Sequence, residues 1–181
     1  TPDPVWEHLT PRLLLLLARD ARNVVIGGAY SGDHALLLAQ TVGPGGMVHC
    51  FEPNPAESEQ LAFNARDNGM TNIRIEQRGL WSLDDVHLRL TGAPDESCAS
   101  AEVTHTPDAH SFPATSLVTY GRTQGMETVD LIMLDIEGGE HEALRGATPY
   151  LDMPAGQAPD IVFEVHRLYV DWSEGLDNTA I

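Results

Sequence analysis

The chain has 181 residues, a formal net charge of −17 and a pI near 4.5, and its length suits one domain that buries ~70% of the surface its unfolded form exposes. Acid in that excess disfavours nucleic acid as a partner, because phosphate binding needs clustered arginine and lysine. All ten basic residues are arginine, which excludes Schiff-base chemistry and a Walker-type phosphate lysine and suits either a protein kept soluble at high salt or a GC-rich genome.

The first element is a leucine run, Leu13 to Leu17, bounded by Arg12 and Arg19. It is too short to span a membrane and lacks the cleavage pattern of a signal peptide. Thr10 and Pro11 read as an N-cap and first helical position, so residues 1–22 are expected to place a helix on the core of a single domain covering 1–181. Cys50 and Cys98 have no metal-binding spacing and read as free thiols in a reducing compartment, and the chain is expected to be soluble and cytoplasmic. No feature sets an oligomeric state.

Val24 to Ile26 reads as a strand, Gly27 to Gly32 as a glycine-rich turn and Asp33 to Gln40 as the start of a helix. After a turn at Gly43 to Gly46, the stretch from Met47 is a second strand that ends in Glu52. Pro53 and Pro55 mark a loop, a helix follows from about Ala56 to Asp67 with Asn68 and Gly69 as its stop, and Ile73 to Gln77 is a third strand. Residues 82–115 mix Pro, Asp, Ser and Thr with His87, His105 and His110 and read as one or two edge strands and a long loop. Val129 to Leu134 is a strand covered on both faces; a short helix at Glu140 to Leu144 follows, with Gly146 as its stop. IVFEV from Ile161 is a last buried strand that ends near Glu164 and His166. This alternation predicts a parallel sheet with crossover helices.

Two places can carry chemistry. A glycine-rich turn between a strand and its helix offers backbone N–H groups to an anion, and Glu52 closes the next strand 20 residues beyond Gly32, the separation at which an acid meets a ribose in dinucleotide folds. The glycine pattern alone is weak; from Gly27 it also reads as a degraded GxGxxG. The second place is LDIEGGEHEALRGA, where Asp135 and Glu137 leave the sheet at its ligand-binding edge. Glu140 and Glu142 are better explained as acids complementing a helix N-terminus. Asp135, Glu137, Glu140 and His141 offer metal-ligand atoms, but not a committed set of oxygens, and no metal is assigned.

VVIGGAYSG, HCFEPNP, NGMTNIRIEQRGLW, VDLIMLDIEGGEHEALRGA and IVFEVHR together resemble, in order and spacing, the FkbM family of S-adenosylmethionine-dependent methyltransferases, over roughly Asn23 to Arg167. The resemblance implies an α/β, Rossmann-like, three-layer doubly wound sheet of the seven-stranded methyltransferase type, here with little sequence left for the final antiparallel hairpin. It implies S-adenosylmethionine as cofactor, O-methylation of a hydroxyl, and a small-molecule or carbohydrate acceptor. Gly28, Ala29, Tyr30 and Gly32 would line the methionine end, Glu52 and Pro53 the ribose, and Arg78, Gly79 and Leu80 the adenine. Asp135 would face both cofactor and acceptor, with Asp135, Glu137 and His166 as candidates to take the acceptor's proton. Family members usually carry an acid in place of Ile26 and an asparagine in place of Tyr30, so two polar contacts near the cofactor are expected to be missing. An NAD-dependent oxidoreductase and a non-catalytic nucleoside-binding module are the alternatives. Trp81 reads as core or as a border of the cofactor site, Tyr169 and Trp172 as caps of the acceptor pocket or as anchors.

Overall fold

A computed structural model describes residues 9–91, 100–136 and 138–164. Glu137, His166, Tyr169, Trp172 and Cys98 lie outside the described residues. In chain order the elements are α1 (Thr10–Leu17), β1 (Asn23–Gly27), α2 (Asp33–Val42), β2 (Met47–Phe51), α3 (Pro55–Asp67), β3 (Ile73–Glu76), β4 (Gly79–Leu80), β5 (Val86–Thr91), β6 (Ser100–Thr104), β7 (Ser111–Thr115), α4 (Leu117–Gln124), β8 (Leu131–Leu134), α5 (Glu140–Arg145), α6 (Thr148–Leu151) and β9 (Asp160–Phe163).

The central sheet has the order β3-β2-β1-β8-β9, with parallel pairing throughout. Alternation along the strands splits its side chains between two apolar layers. Val24, Ile26, Val48, Cys50, Leu131 and Met133 pack against α1, α2 and α3. Val25, Phe51, Ile132 and Leu134 pack against α4, α5 and α6. The result is the three-layer α/β architecture that the family resemblance implies, with the strand order, not the chain direction, reversing between β1 and β8. That reversal opens a crevice at the carboxyl ends of the two strands, where Gly28 and Asp135 stand.

Several local expectations change. Thr10 is the first helical residue rather than the cap, with Leu9 before it and no side chain capping the N-terminus. In α3 the cap is Asn54, whose Oδ1 accepts from the Ala56 N–H, and Pro55 opens the helix with the fixed φ that suits that position. Gly146 stands where the helix stop is expected, directly after Arg145, but at a right-handed φ of −69°. It is small because a Cβ there would stand 2.0 Å from the Trp81 carbonyl oxygen. β9 is half-buried rather than buried, pairing only with β8 among the described residues.

The largest correction concerns residues 82–115. In place of edge strands and a loop they build, with β4, a second sheet of order β4-β7-β5-β6, β5 running antiparallel to both neighbours. Its apolar face gathers Leu88, Ala114, Val86, Val103 and Phe112 around Trp81. α4 was also not predicted; Ser116 caps it by accepting from the Thr119 N–H, and Asp84 ties it to the second sheet by accepting from the Ser116 N–H and the Thr119 hydroxyl.

Under the second layer, His49 and Tyr120 share a hydrogen bond of 2.8 Å between Nδ1 and the phenol oxygen. Phe51 meets the same Tyr120 ring edge-on at 4.8 Å. His49 is 3% exposed, and its Nε2 has no hydrogen-bond partner among the described residues. Cys50 is a buried free thiol whose ionisation burial pushes far up. Among the described residues no helix is long and apolar enough to cross a membrane.

Candidate functional site

The turn after β1 is shaped by two backbone constraints. Gly28 has φ +75°, and a Cβ on it would lie 1.8 Å from the Asp135 carbonyl oxygen. The turn can therefore touch the β8 exit only through glycine. Gly32, with φ +105°, starts α2 against Leu61.

Between them Tyr30 takes φ +47°, a left-handed conformation that costs a bulky L-residue about 1–2 kcal/mol. Its N–H is held by Glu52, whose Oε2 accepts from Tyr30 at 2.9 Å while Oε1 accepts from the Asn54 N–H at 2.8 Å. Tyr30→Gly should therefore raise stability by about 0.5–1 kcal/mol, the relieved strain exceeding the glycine's extra unfolded-state entropy. A thermal melt reading no rise would show that the ring's contacts offset the strain.

Glu52 is 7% exposed. Burial raises its pKa above the usual carboxylate value, the Asn54 and Tyr30 N–H groups oppose the rise, and Glu57 adds to it. Each carboxylate oxygen keeps acceptor capacity beyond its one backbone bond, enough to receive a pair of vicinal hydroxyls.

These residues surround one cavity of about 280 Å³. Gly28, Tyr30, Glu52, Pro53, Gly79, Leu80 and Asp135 line it, together with Phe51, Trp81, Ile136 and Gly139. Ala29 and Gly32 do not: Ala29 is buried in the layer under α1 to α3, and Gly32 sets the helix start. Ile26 belongs to that same apolar layer, and the cavity lining does not include it.

Sequence reasoning missed the far wall, which Leu88, Leu90, Ala101 and Phe112 of the second sheet supply; the weak alternation in VHLRL and SAEVTH was its signal. A second cavity of about 270 Å³ lies at the ends of β8 and β9, lined by Thr10, Asp135, Val162, Phe163 and Glu164 among others. Asp135 borders both.

The acidic turn is held by Glu140 from below. This carboxylate is 3% exposed, and its Oε1 accepts from the Ile136 N–H at 3.1 Å and the Gly138 N–H at 3.3 Å. It thus serves the turn's own backbone. Glu140→Ala leaves two N–H groups without their acceptor and should cost about 2 kcal/mol in a urea melt; a change under 0.5 kcal/mol would mean the turn is held by other contacts. Glu142 accepts from the Ser82 hydroxyl and from Arg145, which fastens α5 to the loop after β4.

The FkbM methyltransferase domain family matches residues 27–175. No curated protein matches the chain significantly. Solved structures resemble its fold. A methyltransferase from Geobacter sulfurreducens is 16% identical with a TM-score of 0.53, over 98% of this chain and 72% of that one. The O-methyltransferase TomG from Streptomyces achromogenes, solved with S-adenosylmethionine, is 16% identical with a TM-score of 0.50, over 82% and 53%. An O-methyltransferase from Bacillus cereus, solved with S-adenosylhomocysteine, is 16% identical with a TM-score of 0.50, over 80% and 52%. The chain thus spans about half the length of the two O-methyltransferases. With the family matched over most of its length, and the glycine turn, the strand-end Glu52 and the acidic turn gathered at one crevice, the chain belongs to the FkbM methyltransferase family.

Proposed function

We propose that the protein transfers a methyl group from S-adenosylmethionine to a hydroxyl oxygen of a sugar or natural-product small molecule. The observation that carries this reading is the buried Glu52 carboxylate, fixed by the Tyr30 and Asn54 N–H groups at the wall of the same cavity as Gly28 and Asp135. A carboxylate so placed accepts the two ribose hydroxyls of a nucleoside, and the Gly28 turn lets backbone come close to the rest of it. S-adenosylmethionine, when bound, supplies an electrophilic methyl group on a sulfonium.

The chain's own part is alignment, which contributes up to about 7–11 kcal/mol when two reactants are held in line. Asp135 borders both cavities, and its carboxylate is the first candidate to take the hydroxyl proton of an acceptor in the second. Glu137 and His166 remain proposed alternatives for that proton. The missing side-chain acid at Ile26 costs this cavity nothing, since Ile26 packs in the core.

Titration calorimetry with S-adenosylmethionine, S-adenosylhomocysteine and NAD tests the reading. Both sulfur compounds should bind at micromolar concentration and NAD should not, and Glu52→Ala should weaken binding about ten-fold or more. NAD binding in their place would make the oxidoreductase the better description. A folded protein that binds none of the three would be a non-catalytic relative.

A further inference from the structure

Glu140 carries a charge that its structural bonds do not require. It is 3% exposed and forms no ion pair among the described residues. Its compensation is the Ile136 and Gly138 N–H groups, together with the start of α5, a helix of six residues. A glutamine oxygen would accept the same two bonds without the cost of burying an unpaired charge. The path from this carboxylate to the first cavity is one peptide long. The Asp135–Ile136 peptide is trans, so its carbonyl and its N–H point opposite ways. The N–H faces Glu140 at 3.1 Å, and the oxygen faces Gly28, where it leaves no room for a Cβ. Gly28, Asp135, Ile136 and Gly139 all line the cavity. The Gly28 and Ala29 N–H groups both donate to the Phe51 carbonyl, so neither is spent on the Asp135 oxygen. Glu140 thus stands behind the turn and directs the negative end of a peptide dipole at the Gly28 wall.

We propose that Glu140 is a positioning residue for a cationic sulfur: acting through the Asp135–Ile136 peptide, it makes the crevice prefer a sulfonium to a neutral thioether. The inference rests on the methyltransferase reading above. A buried carboxylate acts on a cation across several ångströms, because screening there is weaker than in water. Glu52 and Asp135 line the cavity and add charge of the same sign, but each also offers the ligand its own oxygens. Glu140 is outside the lining and acts by its field alone. Methyl transfer breaks the sulfur–methyl bond, joins the methyl to the acceptor oxygen and leaves the electron pair on a neutral sulfur. The carboxylate then no longer favours the bound species, which speeds exchange of the spent cofactor.

The test is titration calorimetry on the full chain with S-adenosylmethionine, S-adenosylhomocysteine and methylthioadenosine, the last two having a neutral sulfur, and with circular dichroism to check folding. Glu140→Gln should weaken S-adenosylmethionine about ten-fold and the two thioethers less than about two-fold. Glu140→Asp keeps the charge, so the preference for the sulfonium should stay within about two-fold of wild type even where all the probes bind more weakly. Glu142→Gln removes the same formal charge from a carboxylate already paired with Arg145 and should change none of them. A Glu140→Gln loss equal for every probe, no loss at all, or the same selective loss in Glu142→Gln would overturn the assignment and leave the methyltransferase reading standing. If Glu140→Gln does not fold, Glu140→Asp decides, because a lost sulfonium preference in a variant that keeps the charge overturns the assignment. Wild-type protein that binds none of the probes would overturn the methyltransferase reading, and this assignment with it.

Discussion

Gly28→Ala should destabilise the protein by about 4 kcal/mol and abolish ligand binding in whatever folded fraction remains. Two effects act together. The left-handed φ of +75° costs any L-residue about 1–2 kcal/mol. The added methyl would also stand 1.8 Å from the Asp135 carbonyl oxygen and 2.8 Å from its carbon, and neither atom is the free end of a flexible side chain. Both belong to the β8 exit, which is fastened to β1 by the Asp135 N–H donating to the Gly27 carbonyl at 3.0 Å and by the parallel register of Gly27 with Leu134. Relief therefore requires the two central strands to part where the ligand would sit, at an overpacking cost of a further ~1–3 kcal/mol.

Gly125→Ala separates the two effects. Its φ is +69° and nothing lies within 4 Å of the added atom, so it should lose only the strain, about 1 kcal/mol. Urea denaturation of both variants reads the difference; equal losses would mean that close approach to Asp135 is not what requires glycine at position 28.

How far the sequence foretold this arrangement depends on the kind of strand. Buried parallel strands such as β1, β2 and β8 are apolar on both faces and stand out as short runs bounded by glycine, proline or acid. The strand-end acid Glu52 and the exit residue Asp135 were legible for the same reason, since each interrupts such a run at its carboxyl end. The second sheet was not. β4 has only two residues, β7 carries Pro113 opposite His87, and β5 and β6 bury one face in a polar, Thr- and Ser-rich background. Their pairing is set by tertiary contact with Trp81 and the cavity, which no local pattern states.

Face, too, was hard to read. Ala29 and Gly32 lie in the expected turn but do not line the cavity, and Ile26 packs in the core because alternation sends it under α1 to α3. A residue's place in a motif fixes its chain position, whereas its side depends on the pleat. Glu140 shows the converse case. The sequence reads it as an acid complementing a helix N-terminus, and it does stand in the first turn of α5; its burial, and its bonds to the Ile136 and Gly138 N–H groups, depend on the Gly138–Gly139 turn folding back over it.

Acid should weaken the fold through His49, by about 3 kcal/mol between pH 6.5 and 4. Burial first, and the Arg74 charge second, lower the His49 pKa from 6.5 to about 4, so the native state keeps the ring neutral over a range in which the unfolded chain binds a proton. The group's contribution is thus fully present above pH 6.5, declines as pH falls through that value, and is lost below about pH 4, where both states are protonated.

The surroundings explain why charge is excluded. The ring is buried, its Nε2 meets no acceptor among the described residues, and the Arg74 charge adds to the penalty on a second positive charge. Glu52 acts with the opposite sign. Its folded pKa is raised, so the native state binds the proton more readily than the unfolded chain, and stability rises as pH falls through that raised value toward 4.5. The two slopes overlap, and His49→Phe separates them by removing the titrating ring while keeping an aromatic volume. Urea melts from pH 7 to pH 4 should lose most of the acid destabilisation in His49→Phe, whatever the variant's stability at pH 7. An unchanged slope would assign the acid sensitivity to another group.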